Sequence, residues 1–120
     1  MEIGILSEPA IILVAFVVAI IVGHIIVKMV LGKFDIGTTD DKGLEGAGAI
    51  IGILERFFTL TFVLAGEFTA IALIFTAKSI ARFEELKNRP FSEYYLIGTL
   101  TSILVAVIVG ILAEWCLDLV

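Results

Sequence analysis

One cysteine, one histidine and two prolines in 120 residues exclude several kinds of chemistry at the outset. A lone Cys116 can form neither a disulfide framework within the chain nor a cysteine-based metal site. With His24 as the only imidazole, a zinc-hydrolase ligand set is missing as well, so no metal and no cofactor is expected. Charge is scarce, at 18% of residues, and its balance is acidic, with a net charge of −5. Nucleic-acid binding needs basic stripes, and no nucleic-acid partner is expected. The first residues also lack the basic segment of a secretory signal, since Glu2 and Glu8 stand where positive charge would be required.

Apolar side chain is what the sequence has in abundance. The chain is 60% hydrophobic, with mean hydropathy +1.14, where soluble domains run at about 45–50% apolar. A water-soluble fold of this size cannot hide that much apolar surface, whereas a bilayer can. The expected fold is all-α: an integral membrane bundle of four transmembrane helices in a single domain over residues 1–120, with the lipid bilayer as its principal partner.

Four apolar stretches set the expected helices at about 9–31, 47–64, 69–83 and 94–117. Ser7 reads as the N-cap of the first, Pro9 falls in its first turn, and Gly32 ends it. A polar connector rich in Asp, Thr and Gly is expected over 33–46. In the segment 84–92, Asn88-Arg89-Pro90 reads as the end of the third helix. In the fourth, Tyr95 and Trp115 stand about 30 Å apart along a helix, which suits two interfacial aromatic anchors.

Residues 47–83 pose a choice between one rod and a hairpin. As one helix they would measure about 55 Å, against a hydrocarbon core of roughly 30 Å. A tight turn at Ala65-Gly66-Glu67-Phe68 puts Lys28, Lys33, Lys42, Arg56, Lys78, Arg82, Lys87 and Arg89 on one side or in the adjoining half of the membrane. Glu2, Glu8, Glu67, Glu114 and Asp118 then fall on the other side, without a base among them. This is the positive-inside pattern. It predicts the hairpin, and it places both termini on the non-cytoplasmic side of the cell's inner membrane.

Counting from the turn also gives depth. Glu55 and Lys78 are equidistant from an apex between Gly66 and Glu67. His24, Arg56 and Thr101/Ser102 fall at a similar level, so a buried charged layer of Glu55, Arg56, Lys78 and His24 is expected, above an inner basic rim of Arg82, Lys87 and Arg89. A lone charge in lipid costs about 2.5–3.5 kcal/mol on insertion scales. Glu55 is therefore expected to meet Lys78 or Arg56 of another subunit, because Arg56 of its own chain points about 100° away. The layer reads either as a polar pathway or binding site for an ion or small solute, or as a salt bridge that fixes helix register while Arg56 and Lys78 snorkel. Glu67 reads as a solvated turn residue that caps the third helix.

Small residues form the other pattern. Gly98, Ser102, Ala106 and Gly110 recur every four residues on the fourth helix, Ala15, Ala19 and Gly23 on the first, and Gly48 and Gly52 open the second. Such faces let helix backbones approach closely in lipid, either within one subunit or between subunits of a homo-oligomer. Gly46-Ala47-Gly48 with Gly52 is no dinucleotide loop, because no strand precedes it.

Several of these segments together resemble a known family. Gly46-Ala47-Gly48, Ile51-Gly52, Leu54-Glu55-Arg56, Ala77-Lys78-Ser79-Ile80-Ala81-Arg82-Phe83 and Glu93-Tyr94-Tyr95-Leu96-Ile97-Gly98-Thr99-Leu100, with Ser102, resemble the C-terminal part of a bacterial membrane-protein family catalogued as domain of unknown function 3307. The likeness spans about residues 44–112, and the separate N-terminal half of that family has no counterpart here. The resemblance implies a membrane location and a shared role for Glu55, Arg56, Lys78 and Arg82. It implies no activity.

Three functions compete on this reading. The first is a homo-oligomeric channel or transporter-like protein for an ion or small solute. The second is a non-catalytic membrane scaffold or partner subunit whose buried charges fix helix packing and whose loops bind partners or anionic lipid. The third is a lipid-directed enzyme with Glu55 or His24 as general base. No nucleophile–base pair supports the third, so the chain is not expected to be an enzyme.

Overall fold

The computed structural model describes residues 2–34 and 46–119, with side chains from residue 7 onward in the first stretch. Most of the connector expected over 33–46, including Lys42, lies outside the described residues, as does the Glu2 side chain. The described chain is helical: α1 (Glu2–Leu31), α2 (Ala47–Leu64), α3 (Thr69–Ala81) and α4 (Arg89–Asp118), with one 3-10 turn at Glu85–Lys87. Three of these helices are long and apolar enough to cross a membrane, namely α1 over Ser7–Leu31, α2 and α4.

The turn between α2 and α3 closes as its sequence dictates. Gly66 adopts φ 75°, in the left-handed region that glycine enters without a Cβ penalty. The Gly66 N–H donates to the Val63 carbonyl (3.1 Å) and the Glu67 N–H to the Phe62 carbonyl (2.8 Å). This pair of bonds is a Schellman motif, and it satisfies carbonyls that a helix end leaves free. The chain then reverses, bringing Lys78 against Glu55. No side chain caps α3; Glu67 contributes only its carbonyl, to the Ala70 N–H at 3.1 Å.

Three boundaries differ from the sequence expectation. Helix α1 runs through Pro9 back to Glu2, so Ser7 is not its N-cap. A proline removes its own bond to the residue four before it, and the turn ahead of it can still propagate. Helix α4 begins at Arg89 and not near 94: Asn88 accepts from the Phe91 N–H at 3.4 Å, and Pro90 occupies the first turn. Asn88-Arg89-Pro90 thus starts α4, as an N-cap followed by an N-terminal proline should. Helix α3 stops at Ala81, since the Arg82 and Phe83 N–H groups bond three residues back, to Ser79 and Ile80. Its 13 residues measure about 20 Å, so the span expected over 69–83 is a short helix.

Helix α1 runs antiparallel to α4, with Leu31 against Gly98 at one end and Ala15 clustered with Ala113 toward the other. Helix α2 runs parallel to α4, with Val63 against Gly110. The α1–α4 interface is the largest, α2 packs on both, and α3 leans mainly on α2. The interior is made mostly of small side chains, packed around Leu60 and Val63 of α2. Ala19 and Ala106 are fully buried, and Gly98, Ser102 and Gly110 are buried with them on one face of α4. Large apolar residues point outward instead, Leu73 at 71% exposure and Leu13 at 66%. Both small-residue stripes therefore pack within one chain.

Gly110 shows how tight this packing is. A Cβ there would stand 2.5 Å from Val63 Cγ1 and 3.1 Å from Leu60 Cδ1, while a Cβ at Gly48 would meet nothing within 4 Å. Gly110→Ala is expected to destabilise the fold by about 1–3 kcal/mol through overpacking. Gly48→Ala is expected to be neutral or slightly stabilising, because alanine favours the helix. Thermal unfolding in detergent micelles checks both: Tm falls for the first and holds or rises for the second.

Candidate functional site: a buried charged cluster

Within this small-residue interior α2 carries two adjacent charges. Glu55 and Arg56 are each 3% exposed. Successive helical residues point about 100° apart, and the two side chains accordingly find different neighbours.

Glu55 turns toward α3. Lys78 Nζ donates to Glu55 Oε2 at 2.7 Å and to Thr99 Oγ1 of α4 at 2.7 Å. The same ammonium lies 5.0 Å from the centroid of the Tyr95 ring, and the Tyr95 hydroxyl is 3.4 Å from Ser79 Oγ. Lys78 therefore joins α2, α3 and α4. Charge-assisted bonds of this length are the strong ones, and here they hold a helix that buries no residue of its own.

Arg56 turns toward α1 and α4. Its Nη1 donates to Ser102 Oγ at 3.2 Å. Its stem lies so close over Gly23 that a Cβ there would collide with Arg56 Cδ and sit 2.9 Å from Nε. Gly52 lies alongside on α2, where a Cβ would be 3.4 Å from Nη1 and 3.8 Å from Nη2. Two glycines and a serine thus make the slot for the guanidinium.

The slot is under-bonded. Glu55 Oε1, Arg56 Nε, Arg56 Nη2 and Thr59 Oγ1 are buried without a hydrogen-bond partner among the described residues. Buried polar groups are normally paired, and each unpaired one costs about 1–3 kcal/mol. One carboxylate faces two cations, so the cluster carries one excess positive charge.

Several sequence expectations change here. His24 does not belong to the cluster; it is exposed. The inward line of α1 is Ala15, Ala19 and Gly23, and His24 is rotated one residue off that line. Glu55 does meet Lys78 of its own chain, as their equal distance from the Gly66 turn predicts. Thr99 replaces Thr101 beside Ser102, because residues three apart share a helix face and adjacent ones do not. Thr59, one turn from Glu55, is also buried with its hydroxyl unpartnered, a position that the spacing of polar residues on α2 could have indicated.

The basic residues at the α3–α4 connection are balanced by acids. Lys87 pairs with Glu84 at 3.2 Å and Arg89 with Glu93 at 3.1 Å. Arg82 lies 5.7 Å from the Phe91 ring centroid. Two of the three bases of the inner rim are thus paired with acids of the same segment. Exposed pairs of this kind contribute little to stability. Among the described residues no three metal-ligating side chains come together, and Cys116 is exposed. Surface grooves lined by Glu8, Pro9, Ile12, Leu13 and Phe16, and by Phe75, Thr76, Ser79, Ile80, Phe83 and Leu86, do not touch Glu55, Arg56 or Lys78.

No protein-family model matches this chain, and no curated protein or solved structure matches it either.

The Glu55–Lys78 bridge makes a clear mutational prediction. Lys78→Met leaves Glu55 buried and unpaired, and is expected to cost about 3–5 kcal/mol. The double substitution Glu55→Gln, Lys78→Met is expected to recover most of that loss. Lys87→Ala is expected to change stability by less than about 1 kcal/mol. A double-mutant cycle on chemical unfolding in mixed micelles measures the coupling.

Proposed function

We propose that this chain is a small multi-pass protein of a bacterial inner membrane, working as a homo-oligomeric transporter-like protein for an ion or small solute. The observation that carries this reading is the under-bonded, net-positive cluster of Glu55, Arg56 and Lys78 in an otherwise apolar bundle. Ionisable groups at such depth are costly to bury, and they mark substrate and ion pathways in membrane proteins. A purely structural cluster would be expected to use up its donors and acceptors, whereas Glu55 Oε1 and Arg56 Nε and Nη2 are buried without a partner among the described residues. The cluster closes within one chain, which favours a site inside each protomer over a pore along a symmetry axis. Oligomerisation is supported by α3, an apolar helix that buries none of its residues within the chain.

A second reading, a non-catalytic scaffold, is favoured by the bonds of Lys78 to both α2 and α4. Flux separates the two. Proteoliposomes of the purified protein are expected to move a small ion or solute, with a marked loss for Glu55→Gln. No flux across a panel of ions and small solutes leaves the scaffold reading in place.

The proposed topology puts both termini outside and the α3–α4 turn in the cytoplasm. In a Cys116→Ser background, Glu67→Cys is expected to react with a membrane-impermeant maleimide from outside intact cells, and Lys87→Cys only after permeabilisation. Labelling of both positions from the same side would sink the topology.

A further inference from the structure

The donors left free in the cluster are more specific than a general polar pathway. Arginine carries five N–H donors in a rigid fork and accepts nothing. Only the Nη1 bond of Arg56, to Ser102, is made. Nε and Nη2 remain buried and unpartnered, and Thr59 Oγ1, one turn along on the same helix, is a further free hydroxyl. The one carboxylate nearby is engaged by Lys78 on Oε2, its Oε1 being unpartnered. Among the described residues no other acid pairs with these groups, so two cations face one anion. Water could complete the hydrogen bonds, but it would leave the excess charge uncompensated in a low-dielectric interior. An anion supplies both acceptors and charge.

We propose that Arg56, with Thr59 beside it and Gly52 and Gly23 around it, binds a small inorganic anion of the halide or nitrate class. The proposal deepens the transporter-like reading by naming the species at its buried cluster. Arg56 is 3% exposed, and burial of this degree favours a small ion over a lipid headgroup. Arg56 is also deeper along α2 than a headgroup phosphate sits, about 13 Å from the helix start.

The test uses the whole purified protein in zwitterionic micelles, with chloride as the probe. Chloride NMR linewidths are expected to show excess broadening over empty micelles, removed by nitrate. Arg56→Gln is expected to weaken the apparent affinity about tenfold or more, while Arg89→Gln leaves it unchanged. Since Arg56→Gln can also unfold the bundle, a second measurement uses the wild type alone: Tm is expected to be higher in sodium chloride than in sodium gluconate at equal ionic strength. Absence of broadening in folded wild-type protein, with equal Tm in the two salts, overturns the proposal and leaves water as the occupant. Broadening that persists in a folded Arg56→Gln variant, or that added phosphatidylglycerol removes where nitrate does not, overturns it too. Flux that depends on Glu55 without any response to chloride would sink the anion and spare the transporter reading. Chloride binding without flux would do the reverse.

Discussion

Close approach of backbones is the constraint on which this bundle rests. Gly98 of α4 is covered by Leu31 of α1, Gly110 by Val63 and Leu60 of α2, and Gly23 of α1 by Arg56 of α2, while Ala15 and Ala19 cluster with Leu60 and Ala113. Leu60 and Val63 fill the space that these small residues leave. Helices that touch through alanine and glycine gain dense van der Waals contact and have little slack. The large side chains that would separate them are turned to the outside. A soluble protein of this length would do the opposite, with leucine and phenylalanine at its centre.

The charged cluster follows from that closeness. Arg56 fits only because Gly23 has no side chain and Ser102 offers a small acceptor. Glu55 is reached from the other side by a long lysine stem from α3. The two adjacent charges of α2 thus serve different interfaces, one tying α2 to α1 and α4, the other tying α3 to the rest. Breaking either leaves a buried charge without its partner, which costs more than the intact bond contributes.

Much of this arrangement could be read from residue spacing, and the exceptions have a common cause. Counting from Gly66 placed Glu55 and Lys78 at one level, and they are hydrogen-bonded. Repeats of four gave the small-residue faces of α1 and α4, and these are the buried faces. Distance along a helix axis is fixed by rise per residue, so depth is legible. Rotation about the axis is set by which neighbours pack, so His24 and Thr101 were assigned to the right level and the wrong direction. The meeting of Glu55 with Lys78 follows from the hairpin itself, which sets successive spans side by side. Asn88-Arg89-Pro90 carries both stop and start signals, and only the hydrogen bond from Phe91 to Asn88 decides between them. The short α3 was overestimated because its apolar pattern runs past Ala81 while the backbone tightens at Arg82.

The manner in which α3 is attached has a consequence for motion. It contributes no buried side chain, and its main fastenings are the bonds of Lys78 and the contact of Ser79 with Tyr95. An element held by a few polar bonds lies at the low-stability end of its fold and opens before the packed core does. The molecule is therefore uneven in stiffness, a dense three-helix body with a door on one side, hinged at Gly66 and latched by a single ammonium group. An acceptor that outcompetes Glu55 and Thr99 for that ammonium would unlatch the door without disturbing the body.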